Sequence, residues 1–303
     1  MSAPGIPTFD QLHIFLSVVD TGSFAAAGRA LNRATSVISY GVANLEAQLG
    51  VELFERHGTR KPQLTVAGRA VLAEARAIGQ GIDGLRAKVK GLLDGLEAEV
   101  TLAVDVMLPS GDLAAILRDF AREFPTVALR LHVETLGAVS HLVLQRTAVI
   151  GVAGPLASEL PGLECIALQP VRLVPVAAPS HPLAQAKKLL PGMGRDHIQL
   201  VLTDRSPLTE GRDFSVVSPH TWRLADLGAK HALLREGIGW GNMPLPMVEA
   251  DLKAGSLVQL AMPDHPGVDY AMSGIYRSDA PPGPAASWLL DRFSDHAVCR
   301  TGL

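Results

Sequence analysis

Thr35, Ser36, Ser39 and Tyr40 place four hydroxyl groups within six residues, with Arg33 just ahead of them. Small hydroxyl side chains and one aromatic ring can hydrogen-bond and touch the exposed edges of base pairs. Arg56, His57, Arg60 and Lys61 follow within one six-residue stretch. Clustered cations of this kind pair with phosphate oxygens. Each group also has a plainer reading: Tyr40 as an exposed ring packed on its own helix, and the basic residues as a solvated turn. Nothing beside them points to covalent or metal chemistry. G-x-S-x-G, H-E-x-x-H, C-x-x-C and phosphate-loop patterns are absent, and ten histidines are scattered without ligand spacing. Gly237, Gly239 and Gly241 form G-x-G-x-G, but Asn242-Met243-Pro244 follows, so this is no dinucleotide fingerprint. The expectation is no enzyme, no cofactor and no metal.

Three predicted helices would position these residues. Leu12, Phe15, Leu16 and Val19 recur at helical spacing. Gly22 breaks that helix, and Ser23 caps a second one burying Phe24, Ala27 and Leu31. Asn32 to Ala34 turn, and Thr35 or Ser36 caps a third helix whose buried stripe is Ile38, Val42, Leu45 and Leu49. Gly50 ends it. Residues 51–56 and 63–65 read as two short strands around the basic turn at 57–62, a wing. Three helices and a wing make a helix-turn-helix head, with the third helix entering the major groove and the wing gripping the backbone.

The run from Phe15 to Gly68 resembles the DNA-binding domain of LysR-type transcriptional regulators. The matching pieces are Gly22-Ser23-Phe24, Ala26-Ala27, Leu31, Ser39, Leu45-Glu46, Leu49-Gly50, Leu53-Phe54-Glu55-Arg56 and Leu64-Thr65-Val66-Ala67-Gly68. Two departures stand in the recognition helix: Tyr40 where relatives usually carry arginine, and Thr35-Ser36 where they often carry Gln-Pro.

Thr65 can cap a long fourth helix. Val71, Ala75, Ile78, Ile82, Leu85, Val89, Leu92 and Leu96 alternate steps of four and three, a heptad seam. Gly79, Gly81, Gly84, Gly91 and Gly95 weaken an isolated helix by up to ~1 kcal/mol each, so a partner is expected along Val71, Ile78, Ile82, Leu85, Val89 and Leu92. The other reading is a helix packed on its own core. The resemblance also implies dimerisation here, and assembly as a dimer or tetramer.

Strand and helix signals then alternate: strands at 100–106, 127–133, 148–152, 172–178, 198–203 and 270–276, and helices at 111–124, 139–145, 224–235, 247–252 and 285–296. The series predicts parallel sheets in two lobes with a chain that crosses and returns. The resemblance extends here more loosely, through His181 to Ala184, Gly237 to Pro244, Asp251 to Val258 and the Trp288 helix. Thr147 to Gly154 departs from it, lacking the acidic residue usual before the apolar strand. The expected fold class is α+β multidomain: a winged helix-turn-helix (1–65), a linker helix (66–96) and a two-lobed α/β periplasmic-binding-protein-like effector domain (97–303). Lobe I takes about 97–169 and 270–303, and lobe II about 170–269.

In such a fold a ligand sits between the lobes, at strand ends and helix starts. Position points to Ser110, Thr135, Thr203, Asp204, Trp222 and Asn242, with a small carboxylate as a plausible effector. Ser110 can also be read as a cap, Asp204 as a turn residue and Trp222 as core.

The formal net charge is −3, so a chain-wide affinity for polyanions is excluded and any DNA contact must be local. Residues 1–70 hold six basic and five acidic side chains, so two copies are needed to gather enough phosphate contacts. Hydrophobic residues make up 48% and charged ones 19%, enough for a folded core. Two cysteines, Cys165 and Cys299, suit a reducing compartment, and read as small apolar residues more readily than as a redox pair. The run from Ile14 to Val19 is too short for a signal peptide or membrane helix, so a cytoplasmic protein is expected. The competing hypothesis is an enzyme or transport-type binding protein whose first residues only oligomerise it.

Overall fold

The computed structural model describes residues 5–55, 62–93, 95–204 and 206–298, with backbone alone at 296–298. The chain divides into two compact units, Met1–Lys90 and Gly91–Leu303.

The first unit is helical. α1 (Phe9–Thr21) starts with a capping box in which Thr8 Oγ1 accepts from the Gln11 amide and the Gln11 side chain accepts from the Thr8 amide. α2 (Phe24–Ala30) is capped by Ser23, whose hydroxyl accepts from the Ala26 amide at 3.1 Å. α3 (Thr35–Leu49) ends at Gly50 with φ 71°, the left-handed geometry glycine adopts without strain. Its start differs from expectation. The cap position is Ala34, with no side-chain cap, and Thr35 is already helical. Neither Thr35 nor Ser36 is spent as the cap. The core comprises Leu12, Ile14, Phe15, Val18, Ala27, Ile38, Val42, Leu45, Leu53, Phe54 and Ala75. Leu16 and Val19 sit at its flank, because α1 is gripped on two sides and its buried stripe rotates toward Ile14 and Val18.

Among the described residues the expected wing strands meet in one antiparallel bridge, Phe54↔Leu64, with the Glu55 N–H donating to the Gln63 carbonyl at 2.8 Å. Glu46 ties α3 to this bridge: its Oε1 accepts from the Leu53 and Phe54 amides at 2.7 and 3.2 Å. α4 (Val66–Leu93) is capped as expected by Thr65, whose hydroxyl accepts from the Gly68 amide at 2.9 Å. The helix stops at Leu93, short of Leu96, where Gly95 takes φ 84° and the Leu96 N–H returns to the Gly91 carbonyl.

The second unit carries one nine-stranded sheet. Its elements, in chain order, are β1 (Glu99–Asp105), α5 (Ser110–Glu123), β2 (Ala128–Glu134), α6 (Gly137–Leu144), β3 (Ile150–Ala153), β4 (Leu163–Ala177), α7 (Pro182–Gln185), β5 (Gln199–Leu202), β6 (Thr221–Leu224), α8 (Leu227–Arg235), β7 (Trp240–Pro244), α9 (Leu245–Ala254), β8 (Val258–Gln259), β9 (Val268–Arg277) and α10 (Pro284–Val298). The strand order is β2-β1-β3-β9-β4-β7-β5-β6, with β8 on β4. β1 pairs β2 and β3 in parallel in one lobe, and β5 pairs β6 and β7 in parallel in the other. Two corrections follow. β4 begins at Leu163, well before the predicted strand, and runs antiparallel to β9 from Leu163↔Arg277 to Leu173↔Val268. The lobes are therefore joined through a continuous ribbon. Its register shifts between Leu168 and Val171, where Pro170 has no N–H to donate. The helix predicted from Leu224 begins only at Leu227, capped by Asp226, which leaves Trp222 on a strand.

Candidate functional site

In the first unit the face of α3 opposite the core is exposed. Thr35, Ser36, Ser39 and Tyr40 all lie on it, with exposed Arg33 in the turn just ahead of the helix, and Tyr40 is 69% exposed, so its ring is not packed away. Val37, which sequence reasoning passed over, joins them at 46%. Gly28 allows the tight turn from α2 to α3, since a Cβ there would stand 2.7 Å from the Arg33 carbonyl oxygen. Arg33 is not wholly free for an outside anion: it pairs with Asp10 at 2.7 Å. That bond holds the Asp10 carboxyl below its usual range and raises the Arg33 guanidinium. Arg56, His57, Arg60 and Lys61 lie outside the described residues.

Along α4 the heptad residues part company. Ala75 is buried and Val71 packs on the same core, so this end of the seam is used within the chain. Ile78, Leu85, Val89 and Leu92 are exposed by 46 to 61%, and Ile82 is half-buried. A stripe of large apolar side chains in water is unfavourable for a lone helix.

In the second unit a cavity of about 430 Å³ opens between the lobes. Met107, Leu136, Leu156 and Tyr270 line it from one side, and Gln199 to Leu202, Phe214, Lys230 and Asn242 from the other. Asn242 is the expected residue that reaches it. Its side chain, 9% exposed, is oriented by His265 at 2.9 Å. Thr135 and Thr203 instead clasp the lobes together, while Asp204 is bound within its own lobe. Thr135 Oγ1 donates to the Thr203 carbonyl at 3.0 Å, and Asp204 accepts from Ser206 at 2.8 Å and from Thr209. Thr203 and Asp204 line an adjoining cleft that also takes in Arg212 and Arg223. Ser110 is the first residue of α5 and Trp222 is 46% exposed on β6; neither lines the cavity.

Behind the cavity wall, Asp105 at the end of β1 is 1% exposed. It accepts from Tyr270 Oη at 2.8 Å and from the Met107 amide at 2.9 Å. Burial pushes its carboxyl up to about 6, against those hydrogen bonds, and Tyr270 is pushed well above its usual value, chiefly by its own burial. Asp105 is thus held more tightly by its proton in the folded chain than in the unfolded one. Its favourable contribution is complete below about pH 4 and is lost as pH rises through about 6, roughly 3 kcal/mol in all. His181 and His265, both lowered by burial, work in the opposite sense on acidification. The clean measurement is therefore the stability of the protein minus that of Asp105→Asn. That difference is expected to grow by about 2 kcal/mol from pH 7.5 to 4; a flat difference would remove Asp105 as a titrating group.

Lys230 is the residue that sequence reading missed. Leu227, Lys230 and Leu234 form the buried stripe of α8. A lysine in an apolar stripe was the available signal. Lys230 is 3% exposed and burial pushes its ammonium down to about 8. Cys165 is exposed, and its thiol is raised mainly by partial burial, which disfavours the reactive thiolate; Cys299 lies outside the described residues. Among the described residues no helix is long and apolar enough to cross a membrane.

Comparisons with known proteins match regions in both units. Residues 9–69 match the family model "Bacterial regulatory helix-turn-helix protein, lysR family", and residues 93–298 match "LysR substrate binding domain". The chain is 27% identical over 289 residues to the HTH-type transcriptional regulator YhaJ of Escherichia coli O157:H7, covering 93% of this chain and 94% of that one. It is 29% identical over 264 residues to the HTH-type transcriptional activator AllS of Klebsiella pneumoniae, covering 82% and 93%. In fold it is similar to the full-length regulator LysG of Corynebacterium glutamicum with bound effector Arg (TM-score 0.51, 22% identity, 96% and 98% covered). A Corynebacterium glutamicum OxyR C206S mutant in its H2O2-bound form is similar as well (TM-score 0.52, 22% identity, 98% of each chain).

Proposed function

The chain belongs to the LysR family of DNA-binding transcriptional regulators, and on that premise we propose how it reads DNA, pairs and senses its effector. α3 enters the major groove with Thr35, Ser36, Ser39 and Tyr40 toward the bases. The basic turn carrying Arg56, His57, Arg60 and Lys61 grips phosphates. Two copies join through Ile78, Leu85, Val89 and Leu92 of α4, and further pairing of dimers makes the tetramer. A small molecule enters the cavity lined by Asn242, Phe214, Tyr270 and Lys230, changes how the lobes clasp at Thr135 and Thr203, and so changes the spacing of the heads. The observation that carries this reading is an exposed, hydroxyl-rich face on the second helix of a helix-turn-helix, in the same chain as a cavity between two lobes. Cytoplasmic action follows from a DNA target.

The test is fluorescence anisotropy of the purified protein on the intergenic DNA beside its own gene, across salt concentration. Tight, salt-sensitive binding with preference over scrambled DNA is expected. If neither this DNA nor a genome-wide selection yields a preferred site, the reading fails. Arg60→Ala with Lys61→Ala is expected to weaken binding and to lower the salt slope by about 2 per head. An unchanged slope would take those two residues off the phosphates.

A further inference from the structure

We propose that Lys230 is the anchoring cation of the inter-lobe cavity and selects an effector with a carboxylate on an apolar body; this rests on reading that cavity as the effector site. Lys230 reaches the cavity from α8, almost fully buried. Its Nζ donates to the Asn242 carbonyl at 2.7 Å. An ammonium has three protons to give, and the described residues provide no carboxylate within ion-pair distance. The two acidic residues that line the cavity are already matched: Asp213 by Arg223 at 2.6 Å, and Asp269 by Arg172 at 3.1 Å. Among the described residues that line the cavity one charge is therefore unmatched, and it is positive.

The fold makes room for this lysine. β5 and β7 pair only at Gln199↔Trp240, so the Asn242 carbonyl lies beyond the ladder. Gly241 keeps the path clear, because a Cβ there would stand 3.1 Å from Lys230 Cε. If the role were only to satisfy one carbonyl, a neutral donor would serve without the cost of burying a charge. Met107, Leu156, Leu173, Phe214 and Val268 make the rest of the lining largely apolar. A carboxylate group would take the free ammonium protons while its hydrocarbon part covers those side chains.

The test titrates the full-length protein by calorimetry with benzoate, phenylacetate, cinnamate, hexanoate and octanoate, each beside its neutral primary amide. At least one acid is expected to bind about 10-fold more tightly than its amide. Lys230→Met, which keeps the length and loses the charge, should abolish that preference. Ala271→Trp, at an exposed position of the lining, should block both series and so place the binding in the cavity. Amides binding the wild type as tightly as acids overturn the proposal and leave the cavity reading standing. So does an acid preference that survives Lys230→Met. Binding unaffected by Ala271→Trp, or no binding by either series, overturns both. Should Lys230→Met fail to fold, the acid-to-amide ratio on the wild type decides alone.

Discussion

Replacing Ile78 and Leu85 together by aspartate is expected to leave a folded monomer that has lost about 100-fold or more of its affinity for operator DNA. Both side chains already face water, at 46% and 61% exposure, so the carboxylates can be solvated without disturbing the helical core. That core ends at Ala75 on α4. In a dimer the same carboxylates would be buried against apolar side chains, where an unpaired charge is strongly unfavourable. The loss of DNA affinity follows from losing the second head. One head brings few phosphate contacts, and two linked heads bind as if the second were present at millimolar effective concentration. Sedimentation velocity reads the mass and anisotropy reads the affinity. A variant that remains dimeric with unchanged affinity would place the pairing surface elsewhere.

Gly154→Ala is expected to lower the stability of the second unit by about 3 kcal/mol, a fall of about 10 °C in its melting temperature. A methyl group at this position would overlap Tyr270 Oη and stand 2.8 Å from its ring carbon Cε1. The phenol would have to move, and Asp105, 1% exposed, would keep the Met107 amide but lose its side-chain donor. Tyr270 also lines the cavity, so ligand binding should weaken along with stability. Gly111→Ala is the control. A Cβ there meets nothing within 4 Å, and its place in α5 favours alanine by about 1 kcal/mol. Equal melting of Gly154→Ala and wild type would show that the Tyr270 ring moves at no cost.

Secondary structure with a strong local cause was legible in the residues. Ser23 caps α2, Gly50 ends α3 and Thr65 caps α4, each by a bond to a neighbouring amide or a backbone angle the residue type favours. The exposed face of α3 was legible for the same reason, since helical periodicity alone separates Ile38, Val42 and Leu45 from Ser36, Ser39 and Tyr40. The family resemblance also rested on such local pieces, and the two family models cover the regions it named.

What the residues alone did not determine were the contacts made across long stretches of chain. Val71 and Ala75 read as part of a seam for a partner, yet Ala75 lies in its own core and Val71 against it, because α1 and α3 fold back over that turn of α4. The β4–β9 ribbon joins strands about a hundred residues apart, and no local pattern announces that pairing. Thr135, Thr203 and Asp204 were placed at strand ends from sequence, but whether a strand end faces a cavity or the other lobe depends on lobe closure; here Thr135 clasps Thr203 across the lobes and Asp204 turns to Ser206 in its own. Lys230 stood in the apolar stripe of a helix, but its burial against the Asn242 carbonyl came only with the tertiary packing around α8. Sequence determined most of the elements, the family and the exposed face of α3, because those follow from neighbours in the chain. The tertiary structure decided which charges are buried, which apolar faces lack a partner and which side chains share the cavity, because those depend on residues brought together only by folding.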